Sequence, residues 1–441
     1  MNQLKSIPSK ILSGKILVPG DKSISHRALM IAASAIGETR IFGLLEGTDV
    51  KATASALQKL GITIFRNKSK VWHVIGRGVG GLVEPSDVLD LKNSGTGVRL
   101  LIGLTSAHNF TSTFTGDKSL VSRPMERIIN PLAQMGVQFS PPSRNQLPIT
   151  LSGPPTLTPI DYRLPVPSAQ VKSAILLAGI NTPGETTIFE DQPTRNHTEI
   201  MLSHFGAKIK TTVLKNSGCK IKLRGLPELE AQDIFVPGDI SSAAFPLVAA
   251  CIIPKSEIVI SNVGINPLRT GIILSLQEMG ADIKLTNIRE AGGDKVADLI
   301  AKGGPLKGAI IPENRAPSMI DEYPILAIAA AFANGSTQMT GLKELRVKES
   351  DRIESMINGL RRCGVDVEQT QDSLTVHGDG KPPKGGASIS TEFDHRIAMA
   401  FLILGMASHD PVAIDYAESI DTSFPNFASL MNSVGGNISL F

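Results

Sequence analysis

The sequence predicts an α/β protein of two similar domains, each made of three copies of one repeat, with helices buried inside and sheets facing outward. Three observations carry this. A short glycine-containing pattern recurs six times, one tetrapeptide returns half-way along the chain, and six helix starts lead into segments that are apolar on nearly every side.

The recurring pattern is an apolar residue, two or three polar or small ones, another apolar residue, Gly, and then a β-like run. It reads LQKLGITI from Leu57, LAQMGVQF from Leu132, LSHFGAKI from Leu202, LQEMGADI from Leu276, LRRCGVDV from Leu360 and MNSVGGNI from Met431. A single glycine of this kind is an ordinary left-handed helix end before a strand. The spacing makes it a repeat: Gly61, Gly136, Gly206, Gly280, Gly364 and Gly435 are 75, 70, 74, 84 and 71 residues apart. Size alone favours about three domains of ~150 residues. However, VPGDKS at Val18 returns as VPGDIS at Val236, an offset of 218 residues or three units, which revises the count to two domains of three.

Within each unit a helix is expected to open at 21–23, 93–97, 166–170, 239–242, 318–322 and 393–396. These starts are rich in Ser, Asp, Asn and Gly, which suit helix caps and first turns. They run into SHRALMIAAS, VKSAILLAG, AAFPLVAA or AIAAAFA, and a helix that is apolar all round belongs inside its domain.

Helix N-termini present unpaired N–H groups and partial positive charge, so anions bind there. Basic and polar residues gather at these starts: Lys22, Ser23 and Arg27; Asn93, Ser94, Gly95, Thr96 and Arg99; Ser168, Gln170 and Lys172; His395 and Arg396. Acids are the usual occupants, so the clustering points to an anion-binding cleft. A second helix opens similarly at Ser122-Arg123-Pro124-Met125, at Arg195-Asn196-His197-Thr198-Glu199 and at Lys348-Glu349-Ser350-Asp351-Arg352. Pro124 suits an early helical position. Thr198 reads as a local cap and Glu199 as an exposed partner of a neighbouring arginine. Arg123, Arg195, Lys348, Arg352 and Arg396 fit carboxylate or phosphate clamps, since guanidinium and ammonium groups match both anions.

Other classes are excluded. With 41% apolar and 19% charged residues the chain is globular, and a net charge of +3 with singly scattered Lys and Arg and few aromatics gives no nucleic-acid footprint. Cys219, Cys251 and Cys363 fit neither a disulfide framework nor a zinc site, so a reducing cytosol and no metal are expected. The first residues lack a signal-peptide core, and the longest apolar stretch, 325–333, is short of the ~20 residues of a membrane span. A cytoplasmic monomer without membrane partner or cofactor is the expectation. Gly76, Gly78 and Gly81 spell GxGxxG, but Pro85 and Asp87 follow where a dinucleotide fold needs a long apolar helix; no P-loop motif occurs.

Seven collinear segments, PGDKSISHR from Pro19, NSGTGVR from Asn93, GDKSLVSRPM from Gly116, PSAQVKSAILLAG from Pro167, IDEYP from Ile320, RVKESDR from Arg346 and DHRIAM from Asp394, resemble the EPSP synthase family. SAQVK, RPMER and RNHTE are similar to its class II branch. The resemblance runs from about residue 10 to the end. It implies the enolpyruvyl transferase fold, an inside-out α/β barrel in each of two domains of three βαβαββ units. The first domain would be 21–236 and the second 1–20 with 237–441, hinged near 18–22 and 236–240 and closing on substrate.

The reaction implied is attack of the 5-hydroxyl of shikimate 3-phosphate on C2 of phosphoenolpyruvate, through a tetrahedral intermediate, with loss of phosphate. The resemblance assigns Asp321 to the hydroxyl, Glu349 to the proton at C3, and Lys22 as a third catalytic group. It places phosphoenolpyruvate at Lys22, Gly95, Arg123, Lys348, Arg352 and Arg396. Shikimate 3-phosphate falls to Ser23, Arg27, Ser168, Ala169, Gln170 and Arg195, with Asp321 and Lys348 shared. It also implies glyphosate as an inhibitor. One departure stands out: Thr422-Ser423-Phe424-Pro425 lacks the Lys that many relatives carry before that motif. The sister family that transfers enolpyruvyl to UDP-N-acetylglucosamine has Lys-Asn where Lys22-Ser23 stands and a reactive Cys in the loop that here reads GDKSLVSRPM. A noncatalytic anion-binding scaffold is the other alternative, though it would not need Asp321, Glu349 and His395 at helix starts.

Overall fold

A computed structural model describes residues 3–142, 145–215 and 217–441. The chain divides into two compact units. One comprises Lys22–Val236 with Ala291–Asp294; the other comprises Met1–Asp21, Pro237–Glu290 and Lys295–Phe441.

The recurring glycine is the joint of each repeat. All six adopt positive φ, between 81° and 107°, where a Cβ is disfavoured. The hydrogen bonding is the same each time. Gly61 N donates to the Gln58 carbonyl at 3.0 Å, and Ile62 N reaches back to the Leu57 carbonyl at 3.1 Å. This double bond satisfies the last carbonyls of the helix Thr48–Lys59, while the apolar residues flanking the glycine close over them. The pattern L-x-x-Φ-G-Φ, with Φ an apolar residue, is therefore a helix end that redirects the chain into a strand.

Each unit contains three four-stranded sheets of one design. In the first, Ile234–Phe235 runs parallel to Ile36–Phe42, which pairs antiparallel with Trp72–Arg77, itself hairpin partner of Thr63–Arg66. The other unit shows the same plan with one rearrangement: Leu4–Ser6 lies between Val412–Ile414 and Ile438–Leu440, antiparallel to both. Ser13–Ile16 supplies the parallel edge beside Glu257–Gly264.

Six helices line the two cores: Lys22–Ala33, Gly95–Ser106 and Ala169–Gly179 in one unit, Ile240–Ile252, Tyr323–Ala331 and His395–Ala407 in the other. Every residue of Ile240–Ile252 and Tyr323–Ala331 is buried, as their all-round apolar sequences require. The helices-inside, sheets-outside α/β architecture read from the repeats is the one observed. Close approach explains Gly103: a Cβ there would stand 2.3 Å from the Ala174 carbonyl oxygen, so the helices Gly95–Ser106 and Ala169–Gly179 touch backbone to backbone. Four inner helices carry side-chain caps, from Ser94, Ser168, Asp239 and Asp394 to the N–H groups of Gly97, Val171, Ser241 and Arg396.

Residues 18–21 and 237–239 lie antiparallel in the unit that contains the C-terminus. Asp21 N donates to the Pro237 carbonyl at 2.8 Å and Asp239 N to the Pro19 carbonyl at 2.9 Å. All three cysteines are buried and free. Among the described residues no helix is long and apolar enough to cross a membrane, and no cluster of metal-ligating side chains occurs.

Candidate active site

In the unit Lys22–Val236, the starts of the three inner helices carry the polar groups. Lys22, half-buried, opens the first and its ammonium pairs with the buried Asp49, in the first turn of Thr48–Lys59. One turn on, Arg27 is fully enclosed. Its Nε donates to Thr198 Oγ1 at 2.8 Å, Nη1 to Ser23 Oγ at 2.8 Å and to the Ser23 carbonyl at 2.9 Å, and Nη2 to Ser173 Oγ at 2.7 Å. These hydroxyls and the carbonyl orient the guanidinium.

The second inner helix begins at Gly95, where a Cβ would stand 2.8 Å from Arg123 Nη1 and 3.0 Å from Arg99 Nη1. Arg123 reaches this point from the end of the short helix Lys118–Val121. Its Nη2 donates to Asn93 Oδ1 at 2.7 Å and Ser119 Oγ at 3.1 Å, while Asn93 Nδ2 donates to Asp117. Arg99 donates to Gln170 Oε1 at 3.1 Å, and Gln170 Nε2 to Thr96 Oγ1 at 2.9 Å, so the second and third helix starts are laced together. Ser168 caps the third, Ala169 is its first residue, and Arg195, half-buried, precedes the helix His197–His204 by two residues.

Three expectations fail here. Glu199 is not exposed and its partner is no arginine: it is buried, 2.8 Å from Lys172 Nζ. Lys172 in turn does not face an anion site, being buried against Glu190 at 2.9 Å as well as Glu199. Burial opposes its charge, but the attraction of the two carboxylates prevails and its pKa is raised. Glu190 is also raised, by burial first, because one ammonium cannot compensate two enclosed carboxylates. Thr198 is no cap either; it accepts from Arg27 and meets Ser173 Oγ at 2.7 Å.

In the other unit the hub is Arg352, 1% exposed. Its Nε donates to Asp394 Oδ2 at 2.8 Å, Nη1 to Asp321 Oδ1 at 3.3 Å and Nη2 to Glu349 Oε2 at 2.5 Å. Burial works against the cation, yet Asp394, Glu349 and Asp321 together hold it more firmly charged than usual. Lys348 Nζ stands 3.8 Å from Asp321 Oδ1. Arg396 Nη1 donates to the Asp321 carbonyl at 3.2 Å and lies 3.9 Å from the buried Glu322. Asp321, Lys348, Glu349, Arg352 and Arg396 thus form one connected cluster. At Thr422 the hydroxyl donates to the Ser419 carbonyl at 2.7 Å, a local turn bond.

One charged group escaped the sequence reading. Arg269, 2% exposed, donates to Asp21 at 2.9 Å, to Asp239 at 3.1 Å and to Ser241 Oγ at 2.9 Å. Ser241 donates to Glu322, so this trio leads into the Asp321–Arg396 cluster. The signal was the repeat itself: Arg269 stands two residues before its unit's second helix, Gly271–Glu278, as Arg195 does before His197–His204.

With this geometry in place, comparison with known proteins is unambiguous. A family model described as EPSP synthase (3-phosphoshikimate 1-carboxyvinyltransferase) matches residues 7–431. The chain is 56% identical over 428 residues to a 3-phosphoshikimate 1-carboxyvinyltransferase of Paramagnetospirillum magneticum, covering 97% of this chain and 96% of the relative. It is 54% identical to one of Rhodospirillum rubrum, covering 99% and 98%. An EPSP synthase structure from Acinetobacter baumannii superposes with a TM-score of 0.88 at 45% identity over 100% of both chains. The enolpyruvyl transferase NikO of Streptomyces tendae shares the fold, with a TM-score of 0.76 at 18% identity, covering 100% of this chain and 99% of that one.

Proposed function

Since the chain belongs to the EPSP synthase family and is a transferase of the shikimate pathway, we propose how its residues divide the work of that reaction. The enzyme transfers the enolpyruvyl group of phosphoenolpyruvate to the 5-hydroxyl of shikimate 3-phosphate and releases phosphate. The hydroxyl oxygen bonds to C2 of phosphoenolpyruvate and loses its proton while C3 gains one. The resulting tetrahedral adduct then loses a C3 proton and its phosphate.

The observation that carries the assignment is the sharing of Arg352 between Asp321 and Glu349, 3.3 and 2.5 Å from its two Nη atoms. One guanidinium thereby fixes the distance between two carboxylates that can serve as proton-transfer groups. Asp321 receives the proton of the 5-hydroxyl, and Glu349 gives and retrieves the proton at C3. Lys348 and Arg396, flanking Asp321, take part in holding phosphoenolpyruvate, as do Lys22, Arg123 and the residual donor capacity of Arg352. Fixed cations of this kind stabilise charge that develops on the departing phosphate. Lys22 is held for that task by Asp49.

Shikimate 3-phosphate is taken by Ser23, Arg27, Ser168, the Ala169 backbone, Gln170 and Arg195, with Asp321 and Lys348 shared. The placement of Arg27 against Ser23 at the same helix start supports this. Glyphosate competes at the phosphoenolpyruvate position. The test is phosphate release from phosphoenolpyruvate with shikimate 3-phosphate against UDP-N-acetylglucosamine as acceptor. Turnover with the first alone is expected; turnover with the second would overturn the reading.

A further inference from the structure

We propose that Lys172 is a positioning residue for shikimate 3-phosphate, acting through Arg195 by pinning the loop that carries it. The inference rests on the assignment of Arg195 to that substrate. Lys172 sits in the first turn of Ala169–Gly179, the helix whose start carries Ser168 and Gln170. Its ammonium has three protons and meets three acceptors, each on a different piece of chain. Glu190 Oε2, at 2.9 Å, ends the strand Glu185–Glu190; the Thr194 carbonyl, at 3.2 Å, lies in the loop; Glu199 Oε1, at 2.8 Å, is in the first turn of His197–His204.

Arg195 is the residue next to the Thr194 carbonyl, inside the segment whose two ends Lys172 also holds. Thr194 Oγ1 donates to Glu190 Oε1, which closes the loop on itself. A parallel hydroxyl link, Ser173 to Thr198 at 2.7 Å, joins the same two helices and continues to Arg27 Nε at 2.8 Å. The register of Arg195 relative to the helix start is thus set by a group that is 0% exposed. A buried pair is strongly disrupted by loss of one partner, whereas a purely supportive pair changes stability and leaves substrate discrimination alone.

The test is a double-mutant cycle of Lys172→Met with Arg195→Ala, reading KM for shikimate 3-phosphate, KM for phosphoenolpyruvate, kcat and the thermal midpoint. Lys172→Met is expected to raise KM for shikimate 3-phosphate about tenfold or more, the size of a lost charge-assisted hydrogen bond, with a smaller change for phosphoenolpyruvate. In the Arg195→Ala background the same substitution is expected to add less than about twofold, because the two residues act as one. An unchanged KM in the folded variant, or two effects that multiply, overturns the inference while leaving Arg195 assigned. If Arg195→Ala alone leaves KM for shikimate 3-phosphate unchanged, the assignment of Arg195 fails and the inference with it. Should Lys172→Met not fold, Glu199→Gln removes one charge of the clamp; it is expected to raise the same KM about threefold or more, and no change there is the overturning result.

Discussion

Arg269 and Asp21 are 248 residues apart in sequence, yet Nη1 of one lies 2.9 Å from Oδ2 of the other, and Nη2 of the same guanidinium meets Asp239. The ion pair therefore clasps the two VPGD segments at their acidic residues, the stretches where the family resemblance implies hinges. Two carboxylates share a single cation in an enclosed space, and one of them must yield.

Asp239 yields: burial, then the neighbouring Asp21, push its carboxyl up to about 6 against the pull of Arg269 and Arg396. The native state therefore binds this proton more tightly than the unfolded chain, whose Asp titrates near ~3.9. The contribution to stability is complete below about pH 4 and is lost as pH rises through about 6, to an extent of roughly 2 to 3 kcal/mol. Urea unfolding of wild type and Asp239→Asn across that window is the check. The stability of wild type relative to the variant should fall with rising pH; a constant difference refutes the assignment.

Glu349→Gln should keep substrate binding and lose about 10²- to 10⁴-fold in kcat, because the amide retains the shape of the side chain but cannot move a proton. Its place 2.5 Å from Arg352 Nη2 leaves room for an amide oxygen as acceptor. Steady-state kinetics with both substrates decide it. A kcat within about threefold of wild type would remove Glu349 from the proton path.

Gly95→Ala puts a methyl 2.8 Å from Arg123 Nη1 and 3.0 Å from Arg99 Nη1. Both are ends of long side chains and give way, so the fold should survive. The methyl then narrows the space beside the cation assigned to phosphoenolpyruvate. Glyphosate should lose about tenfold or more in inhibition constant, from ~1 to 3 kcal/mol of crowding, with a smaller rise in KM for phosphoenolpyruvate. Parallel changes in the two constants, or none, would show that Gly95 does not discriminate between them.

Two repeat glycines separate strain from crowding. At Gly206, φ +97°, the nearest atom to an added Cβ is the Glu228 carbonyl oxygen at 3.7 Å; at Gly435, φ +103°, the Ile11 carbonyl oxygen stands at 2.6 Å. Gly206→Ala should cost about 1 kcal/mol, the left-handed backbone alone. Gly435→Ala should cost about 2 to 4 kcal/mol, since a backbone carbonyl cannot step aside. Equal losses on chemical denaturation would mean that the carbonyl moves freely.

The repeats, the inner helices and the helix-start clusters were legible because each depends on local chemistry: a left-handed glycine, a cap, an apolar circumference. Lys172 and Glu199 were misread because a charge in the first turn of a helix looks the same in sequence whether water or a second carboxylate covers it. Arg269 was overlooked although its place before Gly271–Glu278 follows the repeat, since NPLRT carries no other charged residue. The pairing of Leu4–Ser6 with Ile438–Leu440 lies beyond any local pattern, and only the resemblance indicated that the N-terminus completes the second domain.

That pairing bears on synthesis. Leu4–Ser6 leaves the ribosome long before its partners Val412–Ile414 and Ile438–Leu440. At ~5 to 20 residues per second, the opening strand waits on the order of 20 to 90 s for its sheet. From about half-way through that interval the segment Lys22–Val236 contains the partners for its own three sheets. The nascent chain thus holds a segment able to complete its own sheets while Leu4–Ser6 still lacks its partners, with hydrogen-bonding groups open to the wrong strand. Chaperone dependence during translation should accordingly track the first sixteen residues, which contain both of the N-terminal strands that await distant partners.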